Sequence, residues 1–261
     1  MSKVIAITNQ KGGVGKTTSA INLCASLAHM RKSVLLIDLD PQGNATMGSG
    51  VDKLTLTASV NQVLLGEKTL PQVKASSPAG FDVIPANSDL TEAEITLINH
   101  AQRTDRLKQA LAPILSAYDF VIIDCPPSLN VLTINALIAA DTVLIPMQCE
   151  YYALEGLAAL LDTIRQIQQT ANPALQIEGI LRTMYDPRSR LTTEVSAQLV
   201  EHFQQKVYRT VIPRNVKLAE APSHGLPALL YLPSSPGAAA YLLLAGELLR
   251  RQASFATLSA M

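Results

Sequence analysis

Residues 9–19 read Asn-Gln-Lys-Gly-Gly-Val-Gly-Lys-Thr-Thr-Ser, a run of small, cationic and hydroxyl residues suited to gripping a polyphosphate. Gly12, Gly13 and Gly15 carry no side chain, so successive backbone N–H groups can turn inward on an anion. Lys16 is placed to reach β- and γ-phosphates, and the Thr17 hydroxyl to bind Mg²⁺. Val14 and Thr18 complete a candidate nucleotide loop over Lys11–Thr18. An ordinary glycine-rich turn has no need of the Gly-Lys-Thr ending. The general pattern G-x-x-x-x-G-K-[ST] asks for glycine at position 10, where this chain has Gln10 followed by an extra lysine, Lys11. Lys11 is either a solvated charge or a cation aimed at phosphates held by a second copy of the chain.

Three further segments could serve such a loop. Asp38-Leu-Asp40-Pro-Gln-Gly43 places two carboxylates, a strand-stopping proline and a glycine after an apolar run. A carboxylate there could orient an attacking water, but Asp and Pro-x-Gly are also common turn chemistry, and spacing does not separate the two. Phe120-Val-Ile-Ile-Asp124 is four apolar residues closed by an aspartate, a strand that delivers a carboxylate to Mg²⁺. Pro213 could pack on a base and Asn215 could read its edge, although a turn would use the same residues.

These residues need strands and helices to position them. Unalternating apolar runs at Val4–Ile7, Val34–Ile37, Phe120–Ile123 and Val143–Ile145 predict strands covered on both faces. Further strands are expected at Ile177–Leu181 and Lys206–Ile212. Helical spacing covers Thr17–Met30, Arg106–Leu115, Leu129–Ala139, Leu154–Gln169, Thr192–Gln204 and Ala238–Arg251. The alternation predicts an α/β fold with a doubly wound, mostly parallel sheet flanked by helices and ligands at the carboxyl ends of its strands. Thr69–Gly80, with Pro71 and Pro78, reads as a surface excursion. One domain over residues 1–252 is expected, with a disordered tail at 253–261.

Of the 261 residues, 48% are hydrophobic and 16% charged, which suits a large buried core; the net charge of +0 leaves any polyanion binding to a local patch. Cys24, Cys125 and Cys149 have no paired spacing, which argues for a reducing compartment and against disulfides or a cysteine-held zinc. A core strand within four residues of the start leaves no room for a signal peptide, and no apolar run reaches membrane-spanning length. The four histidines are isolated, and no Ser-His-Asp set appears. Between Arg182 and Lys217 lie seven basic and three acidic residues, a local excess of +4. Such a patch suits sequence-independent contact with a phosphate backbone, with Arg188, Arg190 and Lys217 as candidates, or else is solvated charge. It lacks the interleaved aromatics of a single-strand binder.

Lys11-Gly-Gly-Val-Gly-Lys-Thr17 resembles the deviant phosphate loop of the ParA/MinD class of P-loop NTPases. Asp38–Asn44 is similar to the switch segment of the ParA family. The likeness extends to Pro146–Gly156, Arg182–Asp186 and Thr210–His224, and runs from Lys3 to about Arg251. It is the likeness of a short, Soj-like partitioning ATPase. It implies ATP and Mg²⁺ as cofactors, Lys11 crossing the interface of an ATP-sandwich homodimer, Asp40 needed for hydrolysis, and Asp38 near the metal shell. It further implies an adenine pocket with Pro213 and Asn215, non-specific binding of double-stranded DNA, and a ParB-type centromere-binding partner that stimulates hydrolysis. A bacterial, cytoplasmic, nucleoid-associated protein follows, without stable membrane association. A MinD-like membrane ATPase is the alternative, and would need Leu242–Arg251 as an amphipathic anchor. An iron–sulfur reductase of the same fold would need bridging cysteines. Tyr231–Gly237 departs from the family in Leu232 and Pro236, where relatives tend to carry charged residues.

Overall fold

A computed structural model describes residues 2–98 and 103–259, with nothing said of the side chains from 254 onward. Seven strands form one sheet: β1 (Lys3–Ile7), β2 (Val34–Asp38), β3 (Ala75–Ser76), β4 (Asp82–Ile84), β5 (Phe120–Asp124), β6 (Thr142–Gln148) and β7 (Gln176–Thr183). Their order is β3-β4-β2-β5-β1-β6-β7, and every pairing is parallel except β3 with β4.

The unalternating runs are explained by two cores. Along β1, Val4 and Ala6 face one helical layer while Ile5 and Ile7 face the other; β2 and β5 divide in the same way. Helices Val60–Leu65, Leu90–Ile98, Arg106–Leu111, Val131–Ala139 and Ala153–Thr170 cover the first face. Helices Lys16–His29 and Pro236–Ser259 cover the second, where Tyr241, Leu244 and Leu248 pack among Ile21, Leu23 and Leu27. Burial on both faces is the environment a parallel sheet requires.

Two expectations are corrected. The predicted strand at Lys206–Ile212 is a 3₁₀ turn at Gln204–Lys206 followed by irregular chain beside β7. Its backbone bonds β7 at each end, Tyr208 N–H to Ile180 and Ile212 N–H to Arg182. In between, the Glu247 carboxylate takes the N–H groups of Arg209 and Thr210, and the Arg182 guanidinium takes the carbonyls of Tyr208 and Arg209. Side chains thus replace the ladder. Within the expected excursion at Thr69–Gly80, a short helix buries Leu70 and Val73, and β3 edges the sheet. The last helix runs to Ser259, past residue 253 where the domain is expected to end, with no glycine or proline after Gly246; residues 260–261 lie outside the described residues.

Candidate functional site

The phosphate loop leaves the carboxyl end of β1 and enters helix Lys16–His29. The Asn9 side chain fixes its start, donating to the Pro146 carbonyl at 2.9 Å and accepting the Lys11 N–H at 3.0 Å. Gly13 and Gly15 have φ of 74° and 85°, left-handed values that turn neighbouring N–H groups to one side. Three of the loop's carbonyls are engaged elsewhere: Lys11 O accepts Lys16 Nζ at 3.0 Å, Val14 O accepts Thr183 Oγ1 at 2.8 Å, and Gly15 O accepts Ser19 N–H. No acceptor among the described residues takes the N–H groups of Gly12 through Thr18. A row of unmatched donors at a helix N-terminus is an anion cradle.

Register brings the carboxylates to it. Asp124 closes β5, level with Ile7 of β1 on one side and Asp38 of β2 on the other. The Asp124 side chain is fully buried, and neither oxygen accepts a hydrogen bond. Burial pushes its pKa well above the ordinary carboxylate value and the Asp38 charge adds to this, with the Thr17 hydroxyl and Lys16 opposing. Lys16 is itself buried, which lowers its pKa against the pull of Asp124. An orphaned carboxyl beside a hydroxyl fits Mg²⁺, a hard cation that takes one or two protein oxygens and leaves other positions to phosphates and water. The described residues hold no cluster of three His, Cys, Asp or Glu that could cage a metal alone.

Asp38 is differently occupied. One oxygen accepts the Thr46 N–H at 2.8 Å and the Thr46 hydroxyl at 2.7 Å, and the other accepts the Asp40 N–H at 3.1 Å. Burial lifts its pKa to about 6, with those hydrogen bonds resisting. Thr46 Oγ1 in turn accepts the Ala86 N–H at 2.9 Å, which ties the loop after β2 to the chain beyond β4. Asp40 is half-buried on that loop, one oxygen accepting the Gln42 N–H at 2.9 Å. Gly43 follows with φ 60°, and a Cβ there would lie 2.5 Å from the Ala86 carbonyl. Cys125 is buried, its thiol pushed well up by burial and then by Asp124, so it is inert.

Lys11 points to the rim. Its ammonium is ion-paired with Glu150 at 2.5 Å, both side chains being about two-fifths exposed. Pro213 and Asn215 lie beyond the carboxyl end of β7, where Pro213 bridges Tyr185. The Asn215 carbonyl caps helix Val216–Glu220 by accepting the Lys217 N–H at 3.0 Å. The two DNA candidates nearest β7 are paired on the surface, Arg188 with Asp186 and Arg190 with Glu194; Lys217 is paired with Glu220. Arg182 is engaged with Ser196 and the chain at Tyr208–Arg209. Arg188 and Arg190 thus meet two of the three acidic residues already subtracted in the +4, and of the remaining excess only Lys217 is matched by a further carboxylate, Glu220. Sequence reasoning passed over Thr46, Glu150 and Thr183, each bonded to the site from far along the chain. Thr46 is the nearest, eight residues from Asp38.

A phosphate cradle at a helix start, followed by carboxylates at the ends of two adjacent parallel strands, defines a P-loop nucleotide hydrolase. Comparison with known proteins refines the class. A family model described as AAA domain matches residues 2–177. The chain is 54% identical over 248 residues to the sporulation initiation inhibitor protein Soj of Bacillus subtilis, spanning 95% of this chain and 98% of that one. It is 50% identical over 254 residues to the chromosome partitioning protein ParA of Caulobacter vibrioides, spanning 96% and 95%. A Mycobacterium smegmatis structure described as cobyrinic acid a,c-diamide synthase, with bound ADP and magnesium, superposes with a TM-score of 0.86 at 40% identity, covering 97% of this chain and 96% of that one. The chain belongs to the ParA/Soj family of chromosome-partitioning ATPases.

Proposed function

We propose that this chain is an ATP-driven switch that binds DNA as a dimer and leaves it on hydrolysis, moving a chromosome or plasmid. The observation that carries the reading is the meeting, at one end of the sheet, of an unmatched row of N–H donors, a buried orphan carboxylate and an outward-facing second lysine.

In this scheme the N–H groups of Gly12–Thr18 and the Lys16 ammonium hold the ATP phosphates. Lys16 gives up the Lys11 carbonyl to do so. Mg²⁺, when bound, would supply the positive charge that offsets the build-up on the phosphate oxygens. Thr17 and Asp124 are its ligands from this chain, Asp124 directly or through water. Asp38 lies alongside and serves chiefly to anchor the loop that carries Asp40 through Thr46. Asp40 orients the attacking water with its uncommitted oxygen. Pro213 packs on the adenine, and Asn215 reads its edge with the amide nitrogen, since its carbonyl caps a helix. Lys11 exchanges Glu150 for the phosphates of a second subunit. Two basic surfaces, with Arg188, Arg190 and Lys217, then face double-stranded DNA together. Exposed ion pairs are weak, so the phosphate backbone can compete for these cations. A ParB-type partner stimulates hydrolysis, the dimer opens and the subunits leave the nucleoid within the cytoplasm.

The MinD-like alternative loses its main feature. The apolar face of the last helix is committed to the core through Tyr241, Leu244 and Leu248. No helix among the described residues is long and apolar enough to cross a membrane. The Mycobacterium smegmatis description suggests amide synthesis instead. Cys24, Cys125 and Cys149 are all buried, with thiol pKa values raised chiefly by burial, so none offers a thiolate to release ammonia from glutamine.

Retention on double-stranded DNA tests the proposal, compared in ATP, ADP and no nucleotide at two salt concentrations. Lys16→Ala should abolish ATP-dependent retention, and Asp40→Ala should prolong it. Equal retention in ADP and ATP would rule out the switch.

A further inference from the structure

Thr183 ends β7 and lies 169 residues from the loop it touches. Thr183 is 2% exposed and meets the phosphate loop at two successive residues. The hydroxyl donates to the Val14 carbonyl at 2.8 Å. The methyl group packs beside the next residue, 3.7 Å from where a Cβ on Gly15 would stand.

The Val14 carbonyl and the Gly15 N–H belong to one peptide unit, and a planar trans peptide points them in opposite directions. A hydroxyl that holds the carbonyl toward β7 therefore holds the N–H toward the interior of the loop. This restraint matters because the unit is easily turned. Turning it changes ψ of Val14 and φ of Gly15, and Gly15, at φ 85°, tolerates either sign of φ. Turned over, the peptide would present a carbonyl oxygen to an anion. The other engaged loop carbonyls offer no such control from outside: Gly15 O is part of the helix start, and Lys11 O is held by Lys16, which must leave when phosphate binds.

We propose that Thr183 is a positioning residue for the phosphate cradle, locking the Val14–Gly15 peptide so that the Gly15 N–H faces the bound phosphate. The proposal rests on the reading of this loop as a nucleotide site.

Thr183→Val keeps the side chain's shape and removes the hydroxyl, whereas Thr183→Ser keeps the hydroxyl. Mg²⁺·ADP and adenosine are titrated against wild type, both variants and Lys16→Ala, with thermal unfolding recorded without nucleotide. Thr183→Val should bind Mg²⁺·ADP about 10-fold more weakly, the scale of one buried acceptor left unsatisfied. Adenosine, which has no phosphate, should bind unchanged, and Thr183→Ser should fall within about threefold of wild type for ADP, since it keeps the donor. Thr183→Ala carries the same expectation as valine and covers a valine variant that does not fold. Wild-type ADP affinity in Thr183→Val or Thr183→Ala would overturn the proposal, as would equal losses for ADP and adenosine. ADP binding that survives Lys16→Ala would instead overturn the nucleotide reading of the loop.

Discussion

Asp124→Asn probes whether the site is built around a cation. The Asp124 carboxyl is fully buried with no hydrogen-bond donor on either oxygen, and burial, then Asp38, raises its pKa. In the unfolded chain the group loses its proton near pH 4, so above that pH the folded form holds the extra proton. Unfolding free energy then falls as pH rises, by at most about 1.4 kcal/mol per pH unit for each such group. Between pH 4.5 and 6.5 this sets a ceiling of about 3 kcal/mol on the Asp124 contribution. Asp38, lifted to about 6, adds a slope of the same sign that ends near that pH. The asparagine variant lacks the Asp124 contribution. Its stability should therefore fall less over this interval, by at most about 3 kcal/mol. Thermal unfolding without nucleotide, across pH, measures the difference. Magnesium supplies the second half of the test. Ligand at 100 times its dissociation constant should stabilise wild type by about 2.7 kcal/mol, and adding Mg²⁺ to ADP should help the variant far less. Parallel pH profiles with equal responses to magnesium would refute the reasoning.

Other perturbations reach the surrounding parts. Glu150→Gln frees Lys11 from an exposed ion pair that contributes about 0.2–1 kcal/mol, so the ATP-bound dimer, with two such pairs, should tighten about 2- to 30-fold in analytical ultracentrifugation. A weaker dimer would mean that Glu150 itself serves the interface. Gly43→Ala adds a Cβ at φ 60° that would meet the Ala86 carbonyl at 2.5 Å, and should cost about 1–3 kcal/mol by denaturant titration and slow turnover. Thr46→Val removes the hydroxyl shared by Asp38 and Ala86, so kcat should fall more than nucleotide affinity.

The parallel sheet was legible because β1, β2 and β5 are apolar on both faces, and the strands that end at the site are among those with the clearest runs. The loop was legible because glycines and a lysine at fixed offsets have few other uses. The two short strands β3 and β4 were not, since two or three residues carry no period. Lys206–Ile212 has a strand's composition, but its backbone bonds are completed by Glu247 and Arg182, which no local pattern reports. Thr183 and Glu150 meet the loop only through the order of strands. Local charge counting gives the excess but not the pairing: Asp186 sits two residues from Arg188 and accepts from its Nε and Nη2, which holds the carboxyl down to about 2.

Light scattering on the Asp40→Ala variant, which should hold ATP and Mg²⁺ without turnover, addresses the switch most directly. With ATP and Mg²⁺ the mass should be twice the 28.0 kDa of one chain, falling to one chain in ADP or on adding Lys11→Ala. A single-chain mass in every nucleotide, or a dimer that ignores Lys11, would contradict the account.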